Sequence, residues 1–525
     1  MRRLFRLFGP GIVALGLLVG TAGASHNADQ HFKMEQVKTF PKPATWSDLA
    51  FWGKHAFIGY YTGDAVSQGG VRIFDIANPA NPVLLKDFEC DANQNDPIVW
   101  DRNGNGVADL MLLAVDRTMA NPNCGAARSA HNDPNGWEGV RVFTLSDDPA
   151  NPFQTITQVK AVYTDCGAHT ITAWPKPDGS GLLVYVSSYP LRPGPTCGTI
   201  APAGSTTPPY QNTANPYDED PGSPNSPLHG VIQIVDVPFA NPAASQELDV
   251  QPALNYPGDP DGINDWSERG LSSPGVLEPA AVACHDIVVH VEHNMAGAAC
   301  AEQGQVWEID ANGIPDTENP MAVMDDKFSS GGTGTIPGAV DFFHSVMFDN
   351  EGEVVNLVDE SFGSGCPTMT NWQARPWHAA GPQKTGKMFF TDLDGTFRSE
   401  FHVGDLRPNP AAGEYCSAHM GMAVMGIDRD LLVNAWYTGG VDVIDFTDAA
   451  ALQEVAYYDP AVNSGTWSAY PYTGPRFSRR TPGMPVYASD GVSNNAQAKG
   501  FVVYRALLQN VGRKTFDHLN PQTMD

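Results

Sequence analysis

The sequence predicts an all-β fold: a seven-bladed β-propeller of four-stranded blades with long loop insertions. A diverged repeat of short alternating strands recurs seven times along the 525 residues. Between the strands stand turns rich in Gly and Pro, of which the chain has 52 and 43. With 42% hydrophobic and only 17% charged residues, the composition suits a large core and argues against a coiled coil or a disordered chain. A ring of repeats around one centre accounts for all three observations.

The clearest repeat unit occupies 419–458. It contains four β-type runs that begin at His419, Leu431, Gly440 and Leu452, separated by short turns. Four antiparallel strands make one propeller blade. The third strand of this unit is the easiest to find elsewhere, and its copies begin at Gly70, Gly139, Gly230, Gln305, Lys387, Gly440 and Phe501.

First strands recur in the same way, with approximate blade starts at 47, 96, 169, 285, 344, 419 and 467. Seven starts predict seven blades in a single domain that covers 25–525. The longer intervals hold Pro-, Gly- and Ser-rich insertions at 189–228, 251–283 and 361–385, which we expect on a face used for binding. Because the last repeat copy is a third strand, we expect Met34–Phe40 to supply the missing fourth strand and close the ring.

Residues 1–24 have the pattern of a signal peptide. Arginines open the segment, an apolar stretch runs from Ile12 to Val19, and small residues end it at Ala22-Gly23-Ala24. We therefore expect cleavage near Ala24 and a secreted or periplasmic bacterial protein without a membrane span. The start at Arg2-Arg3 leaves two export routes open, general secretion and the twin-arginine pathway.

Eight cysteines in an exported chain favour four disulfides. Pairing of sequence neighbours gives Cys90–Cys124, Cys166–Cys197, Cys284–Cys300 and Cys366–Cys416, one of many connectivities. Structural zinc is the alternative, although closely spaced Cys-x-x-Cys pairs are missing.

The net charge of −28 makes nucleic acid a poor partner, since phosphate binding relies on clustered Lys and Arg. An unknown protein or a small-molecule ligand is the expected partner, and we expect a monomer.

Units of the form Gly, alternating residues, Ile-Val-Asp and Asn-Pro are clearest at 230–242, 70–82 and 440–446. They resemble the LVIVD-repeat family of bacterial secreted β-propeller proteins, and the best copy is Ile234-Val235-Asp236-Val237. The resemblance covers nearly the whole chain after the signal peptide. It implies an extracytoplasmic propeller and no particular reaction, so a function must come from a site.

Four of the first strands open with histidine: His169, His285, His344 and His419. First strands line the channel of a propeller, so these imidazoles should form a ring at one mouth, with Asp48 and Asp96 at equivalent positions in two other blades. Imidazole and carboxylate ligands suit copper, iron or zinc. In the structural alternative, each polar side chain only hydrogen-bonds the backbone of the neighbouring blade.

Further histidines are of less interest for this site. His293 is expected on the strand of His285 and on its face, as a weaker candidate ligand. His131, His229, His378 and His402 are expected to face solvent.

A second cation signal is local. Asp101, Asn103, Asn105 and Asp109 follow the alternate-oxygen spacing of calcium loops, with glycines that permit a sharp turn. The loop lies between the first two strands of its blade, where a tight Asn-Gly turn needs no ion. A Ca²⁺ site and a plain turn both remain open.

Two classes of function follow. The leading hypothesis is a binding or scaffold module whose loop insertions present a surface to a partner or ligand, with metal binding at the channel mouth as an additional option. The alternative is a metal-dependent oxidoreductase that uses the histidine ring, similar in architecture to the selenium-binding proteins and methanethiol oxidases, which are propellers with copper-binding histidines. Nucleophile-elbow and phosphate-loop motifs are missing from the sequence, and whether the chain is an enzyme stays open.

Overall fold

A computed structural model describes most of the chain. The described residues are 29–61, 69–126, 136–188, 231–252, 284–300, 303–325, 336–337, 340, 343–360, 386–403, 417–460, 465–474, 483–491, 499–508, 511 and 516–525. The predicted signal peptide and most of the three predicted insertions lie outside them.

The described residues form 31 β-strands and a 3₁₀ helix at Pro242–Ala244. The first ten strands are β1 Gln30–Phe32, β2 Met34–Phe40, β3 Thr45–Trp52, β4 His55–Tyr61, β5 Gly70–Asp75, β6 Val83–Glu89, β7 Pro97–Trp100, β8 Leu110–Ala120, β9 Trp137–Leu145 and β10 Ile156–Tyr163. The next ten are β11 Thr170–Pro175, β12 Gly181–Ser187, β13 Val231–Pro238, β14 Gln246–Pro252, β15 Asp286–His290, β16 Met295–Cys300, β17 Gln303–Glu308, β18 Ala322–Met324, β19 Phe343–Phe348 and β20 Val354–Asp359. The last eleven are β21 Met388–Asp392, β22 Phe397–Phe401, β23 Gly421–Ala423, β24 Leu431–Ala435, β25 Val441–Asp445, β26 Gln453–Asp459, β27 Thr466–Pro471, β28 Met484–Asp490, β29 Gly500–Ala506, β30 His518–Leu519 and β31 Thr523–Met524.

These strands form seven sheets, each built on four antiparallel strands in hairpin order, so the predicted seven-bladed β-propeller is confirmed. Blades 1 to 6 are β3–β6, β7–β10, β11–β14, β15–β18, β19–β22 and β23–β26, and blade 7 is β27, β28, β29 and β2. The innermost strand of each blade begins within two residues of the predicted start.

The N-terminal strands close the ring. β2 pairs with β29, with Met34 opposite Ala506 and Thr39 opposite Val502, and so supplies the fourth strand of blade 7. Just before it, β1 pairs with β26 at the outer edge of blade 6. The segment 30–40 therefore ties two adjacent blades together and covers both edges.

Burial follows the position of a strand in its blade. Every residue of the innermost strand β3 is buried, whereas the outermost strand β6 of the same blade is largely exposed. Neighbouring blades pack face to face, so an inner strand is covered on both sides. The hydrophobic core accordingly lies at the blade interfaces, and its largest cluster runs on through blades 4 to 7 and blade 1.

The last ten residues, 516–525, enter the channel at the end where the inner strands finish, a feature that the sequence pattern does not predict. β30 pairs antiparallel with the innermost strand of blade 1, and β31 pairs parallel with that of blade 4. Between them, the Asn520 side chain accepts a hydrogen bond from the Val99 N–H and donates one to the Val99 carbonyl oxygen. We call residues 516–525 the channel plug.

Two of the four predicted disulfides are present, Cys90–Cys124 and Cys284–Cys300. Cys166 is disulfide-bonded, but its predicted partner Cys197 and the pair Cys366–Cys416 lie outside the described residues. No helix in the described part of the chain is long and apolar enough to cross a membrane.

Candidate functional site

Four histidine side chains meet in the channel where the inner strands begin. His169, His285 and His419 stand just before the inner strands of blades 3, 4 and 6, and His344 is the second residue of that of blade 5. All four are buried. Successive ring centroids lie 4.4 Å apart from His169 to His285, 3.8 Å from His285 to His344 and 4.0 Å from His344 to His419. We call these four residues the histidine cluster.

Hydrogen bonds at Nδ1 set the tautomer of three members. His285 Nδ1 lies 2.9 Å from the His344 carbonyl oxygen, and His419 Nδ1 lies 2.5 Å from that of Trp467. His169 Nδ1 lies 2.8 Å from Asp116 Oδ2. Carbonyl and carboxylate oxygens accept these bonds, so in each case Nδ1 carries a proton, and when the imidazole is neutral Nε2 carries the lone pair.

These hydrogen bonds are compatible with both hypotheses for the four histidines, a purely structural role and metal binding. Contacts from His285 and His419 to the backbone of the next blade are those expected of purely structural residues. The same contacts also orient metal-binding histidines, because the bonded Nδ1–H fixes the ring and leaves Nε2 as the ligand.

Three members of the cluster, His285, His344 and His419, are held in the neutral form. Burial, with a smaller contribution from the neighbouring histidines, holds the pKa of His285 and of His344 well below its usual range. Burial likewise lowers the pKa of His419, to about 3. Unprotonated imidazole is the form that binds metal ions, so no proton has to leave these three residues before coordination.

Three further side chains join the cluster from second strands, and the sequence analysis did not find them. Glu360 Oε2 lies 3.7 Å from His344 Nε2. The hydroxyl of Tyr437 donates to Glu360 Oε1 at 2.5 Å, and its ring centroid lies 4.7 Å from that of His419. Asp116 is the partner of His169 described above. One ligand atom from each of His344, Glu360 and His419 lies within 4.8 Å of the other two.

The register of the hairpins explains these positions. In blade 5, Phe343 of β19 lies opposite Asp359 of β20, so Glu360 lies level with the start of the inner strand. In blade 6, the His419 N–H donates to the carbonyl oxygen of Ala435, which ends β24 two residues before Tyr437. The second strand of a blade ends where the first begins. A search for polar residues at second-strand ends would therefore have found Glu360 and Tyr437.

Two residues that face the cluster have a left-handed backbone. Tyr437 has φ of 44° and Gln94 has φ of 73°. Gln94 Nε2 lies 3.5 Å from His169 Nε2. Left-handed conformations cost residues other than glycine of order 1–3 kcal/mol and cluster at functional sites.

Asp48 and Asp96 lie buried beside each other in the channel. The Asp48 N–H donates to Asp96 Oδ1 at 3.1 Å, and the Asp48 carboxylate accepts hydrogen bonds from Tyr470 and from Gln522 of the channel plug. Burial raises the pKa of Asp48 to about 6. Burial and the charge of Asp48 raise the pKa of Asp96 well above its usual range.

The loop 101–109 joins β7 to β8, and its oxygens make local hydrogen bonds. Asp101 accepts from the backbone N–H groups of Gly104, Asn105 and Gly106. Asp109 accepts from the guanidinium of Arg102, and Asn103 and Asn105 both donate to Asp147. This network is that of a capped turn, and calcium binding stays a prediction.

Two of the remaining histidine predictions are wrong. His293 lies in the turn that follows β15, because the strand ends at His290, so it is at the opposite end of the strand from His285. His402 is buried against Trp436, because the chain turns inward just after β22. His131, His229 and His378 lie outside the described residues.

Comparisons with known proteins assign no family and no function to this chain. No protein-family profile and no curated protein matches the chain. Among solved structures, it is similar to Sqt1 from Chaetomium thermophilum, with a TM-score of 0.41 and 10% identity over 90% of both chains. It is also similar to Sqt1 from Saccharomyces cerevisiae, with a TM-score of 0.41 and 9% identity over 92% of this chain and all of the other.

Proposed function

We propose that this propeller is a binding module that holds a divalent transition-metal ion, copper, iron or zinc, at the channel mouth through the histidine cluster. One observation carries the proposal: His169, His285 and His419 are each held through Nδ1 by an oxygen acceptor, which leaves Nε2 as the nitrogen that can bind a metal ion. Buried neutral imidazoles with such bonds are the usual ligands of these metals.

The charge around the cluster supports the proposal. Asp116 and Glu360 are both buried and both contact a cluster histidine. A buried carboxylate is costly unless it has a compensating charge or hydrogen bonds. A cation bound at the cluster would add an attractive charge next to both carboxylates.

Metal analysis of the purified protein tests the proposal. After incubation with copper, iron or zinc and gel filtration, we expect close to one ion per chain. His344→Ala and His419→Ala should lose most of it. His290→Ala is the matched control, because His290 is buried on β15 but bonds the Asn350 carbonyl oxygen away from the cluster. A wild-type protein that retains no transition metal contradicts the proposal.

A metal-dependent oxidoreductase is a second candidate function, favoured by the aromatic rings beside the cluster. The ring of His419 lies 4.7 Å from that of Tyr437 and 4.5 Å from that of Trp467, between centroids. Oxidisable rings next to a metal ligand suit electron transfer. The copper-loaded protein should then lose its Cu(II) electron paramagnetic resonance signal with a thiol reductant and regain it in dioxygen. A Cu(II) signal that changes with neither reagent contradicts the oxidoreductase function.

A further inference from the structure

The histidine cluster leaves open which residues contact the ion. The four rings follow one another at 3.8–4.4 Å between centroids. Two imidazoles that bind one ion at right angles, with Zn–N near 2.1 Å, have centroids roughly 4.5 Å apart, and a tetrahedral angle requires more. The rings therefore have to spread for all four to bind. A set of two imidazoles and one carboxylate needs less movement, because only one pair of rings has to spread.

Glu360 is the anionic group in that position. Its carboxylate, His344 and His419 offer ligand atoms that all lie within 4.8 Å of one another. Ligands about 2.1 Å from an ion lie at most about 4.2 Å apart, a gap that small side-chain rotations close. All three residues are buried, so little water competes for the ion.

Tyr437 holds this carboxylate in place. Its hydroxyl donates to Glu360 Oε1, while Oε2 is the oxygen that faces His344. The φ of 44° at Tyr437 puts its ring beside His419, within reach of Glu360. Such a conformation persists only where the surroundings enforce it.

We propose that Glu360, His344 and His419 form a two-histidine, one-carboxylate site for a divalent metal ion, with Tyr437 as the positioning residue for Glu360. The inference rests on the proposed metal-binding function and names its ligands. With one anionic ligand, the site carries less positive charge when loaded than an all-imidazole site. His169 and His285 then line the open side of the ion.

Cobalt(II) is the probe, because its visible absorption reports the ligand set. The purified protein is titrated with Co²⁺, with affinity measured by competition with a chelator. We expect Glu360→Gln to raise the dissociation constant about 10- to 100-fold and to shift the absorption bands. Tyr437→Phe should give a smaller loss of affinity with a band shift, and Glu360→Asp should restore part of the affinity.

The chain offers matched controls. Tyr470→Phe removes another buried hydroxyl that donates to a channel carboxylate, and Glu400→Gln removes a carboxylate from β22 of the same blade. Both should keep the wild-type spectrum and affinity. Circular dichroism and thermal melting verify that each variant is folded.

The outcomes separate the two proposals. Loss of Co²⁺ in His419→Ala, with unchanged affinity and spectrum in Glu360→Gln and Tyr437→Phe, overturns this inference and leaves the metal-binding function standing. A wild-type protein that binds no Co²⁺, Cu²⁺ or Zn²⁺ overturns both. If Glu360→Gln does not fold, Tyr437→Phe and Glu360→Asp decide, because a carboxylate ligand must alter the Co²⁺ spectrum in at least one of them.

Discussion

The two ends of the channel use the same inner strands in opposite ways. Where the strands begin, side chains of the histidine cluster converge, and neighbouring backbone carbonyls orient the rings. Where the strands end, the channel plug pairs with the backbone of β3 and β15. One end therefore buries polar side chains that can bind a ligand, and the other buries polar backbone groups that satisfy one another.

One tyrosine–carboxylate pair lies beside the histidine cluster, and another lies beside the channel plug. At the mouth, Tyr437 donates to Glu360 beside the imidazoles, and deeper in the channel Tyr470 donates to Asp48, which also accepts from Gln522 of the plug. The first pair faces candidate ligands, whereas the second faces an amide. The same chemical unit thus has a proposed binding role in one place and a structural role in the other.

Among the substitutions that distinguish the two ends of the channel, Asn520→Ala is expected to have the largest effect on the free energy of unfolding. It removes both hydrogen bonds to Val99 and leaves a buried N–H and carbonyl without that partner. Two such groups cost about 1–3 kcal/mol each, so the free energy of unfolding in urea should fall by about 3 kcal/mol, with metal binding unchanged. Asn312→Ala, in an exposed turn, is the control. A loss below about 0.5 kcal/mol would show that the plug contributes little.

Asp48→Asn should have an effect of similar size, visible as a difference in pH dependence. The pKa of Asp48 is raised by burial to about 6 in the folded protein, against 3.8 for an ordinary Asp. The unfolded chain therefore ionises first as pH rises, and wild-type protein loses stability between about pH 4 and pH 6 that the variant keeps. The difference in the free energy of unfolding between the variant and wild type should grow in favour of the variant by roughly 3 kcal/mol from pH 4 to pH 7.

Urea unfolding of wild type and of Asp48→Asn at pH 4 and pH 7 measures this difference in the free energy of unfolding. Tyr470→Phe, which keeps the carboxylate, should not share it. A gain that is the same at pH 4 and pH 7 would show that Asp48 does not titrate in this range.

The smallest effect is expected at the outer side of the plug, where His518 Nε2 lies 2.6 Å from Asp525 Oδ2. Burial lowers the pKa of His518, but the hydrogen bond and charge of Asp525, with the charge of Asp517, outweigh it and raise the pKa overall. Stability from this pair is thus present below about pH 6.5 and is lost as pH rises through the folded pKa. Asp525→Asn should cost about 0.5–1 kcal/mol at pH 5.5 and little at pH 8.5, measured by urea unfolding. An equal cost at both pH values would contradict it.

The sequence predicted the parts of the fold that repeat. Each first strand opens at a position found by comparing copies, and the run at Met34–Phe40 was assigned to the last blade because a strand was missing there. The four histidines were found in the same way. Glu360 and Tyr437 were missed, because they follow second strands, whose ends were not compared between blades.

Alternation of apolar and polar residues with period two is local, and its repetition determined the number of blades, the inner strands and the histidines that open them. Only the tertiary structure decided which side chains join those histidines and where residues 516–525 lie. The plug carries two-residue strands with no repeat pattern, and Asn520 meets Val99 across 421 positions of the chain. Such contacts depend on the closed ring, because only its curvature brings strand ends from distant blades to one axis.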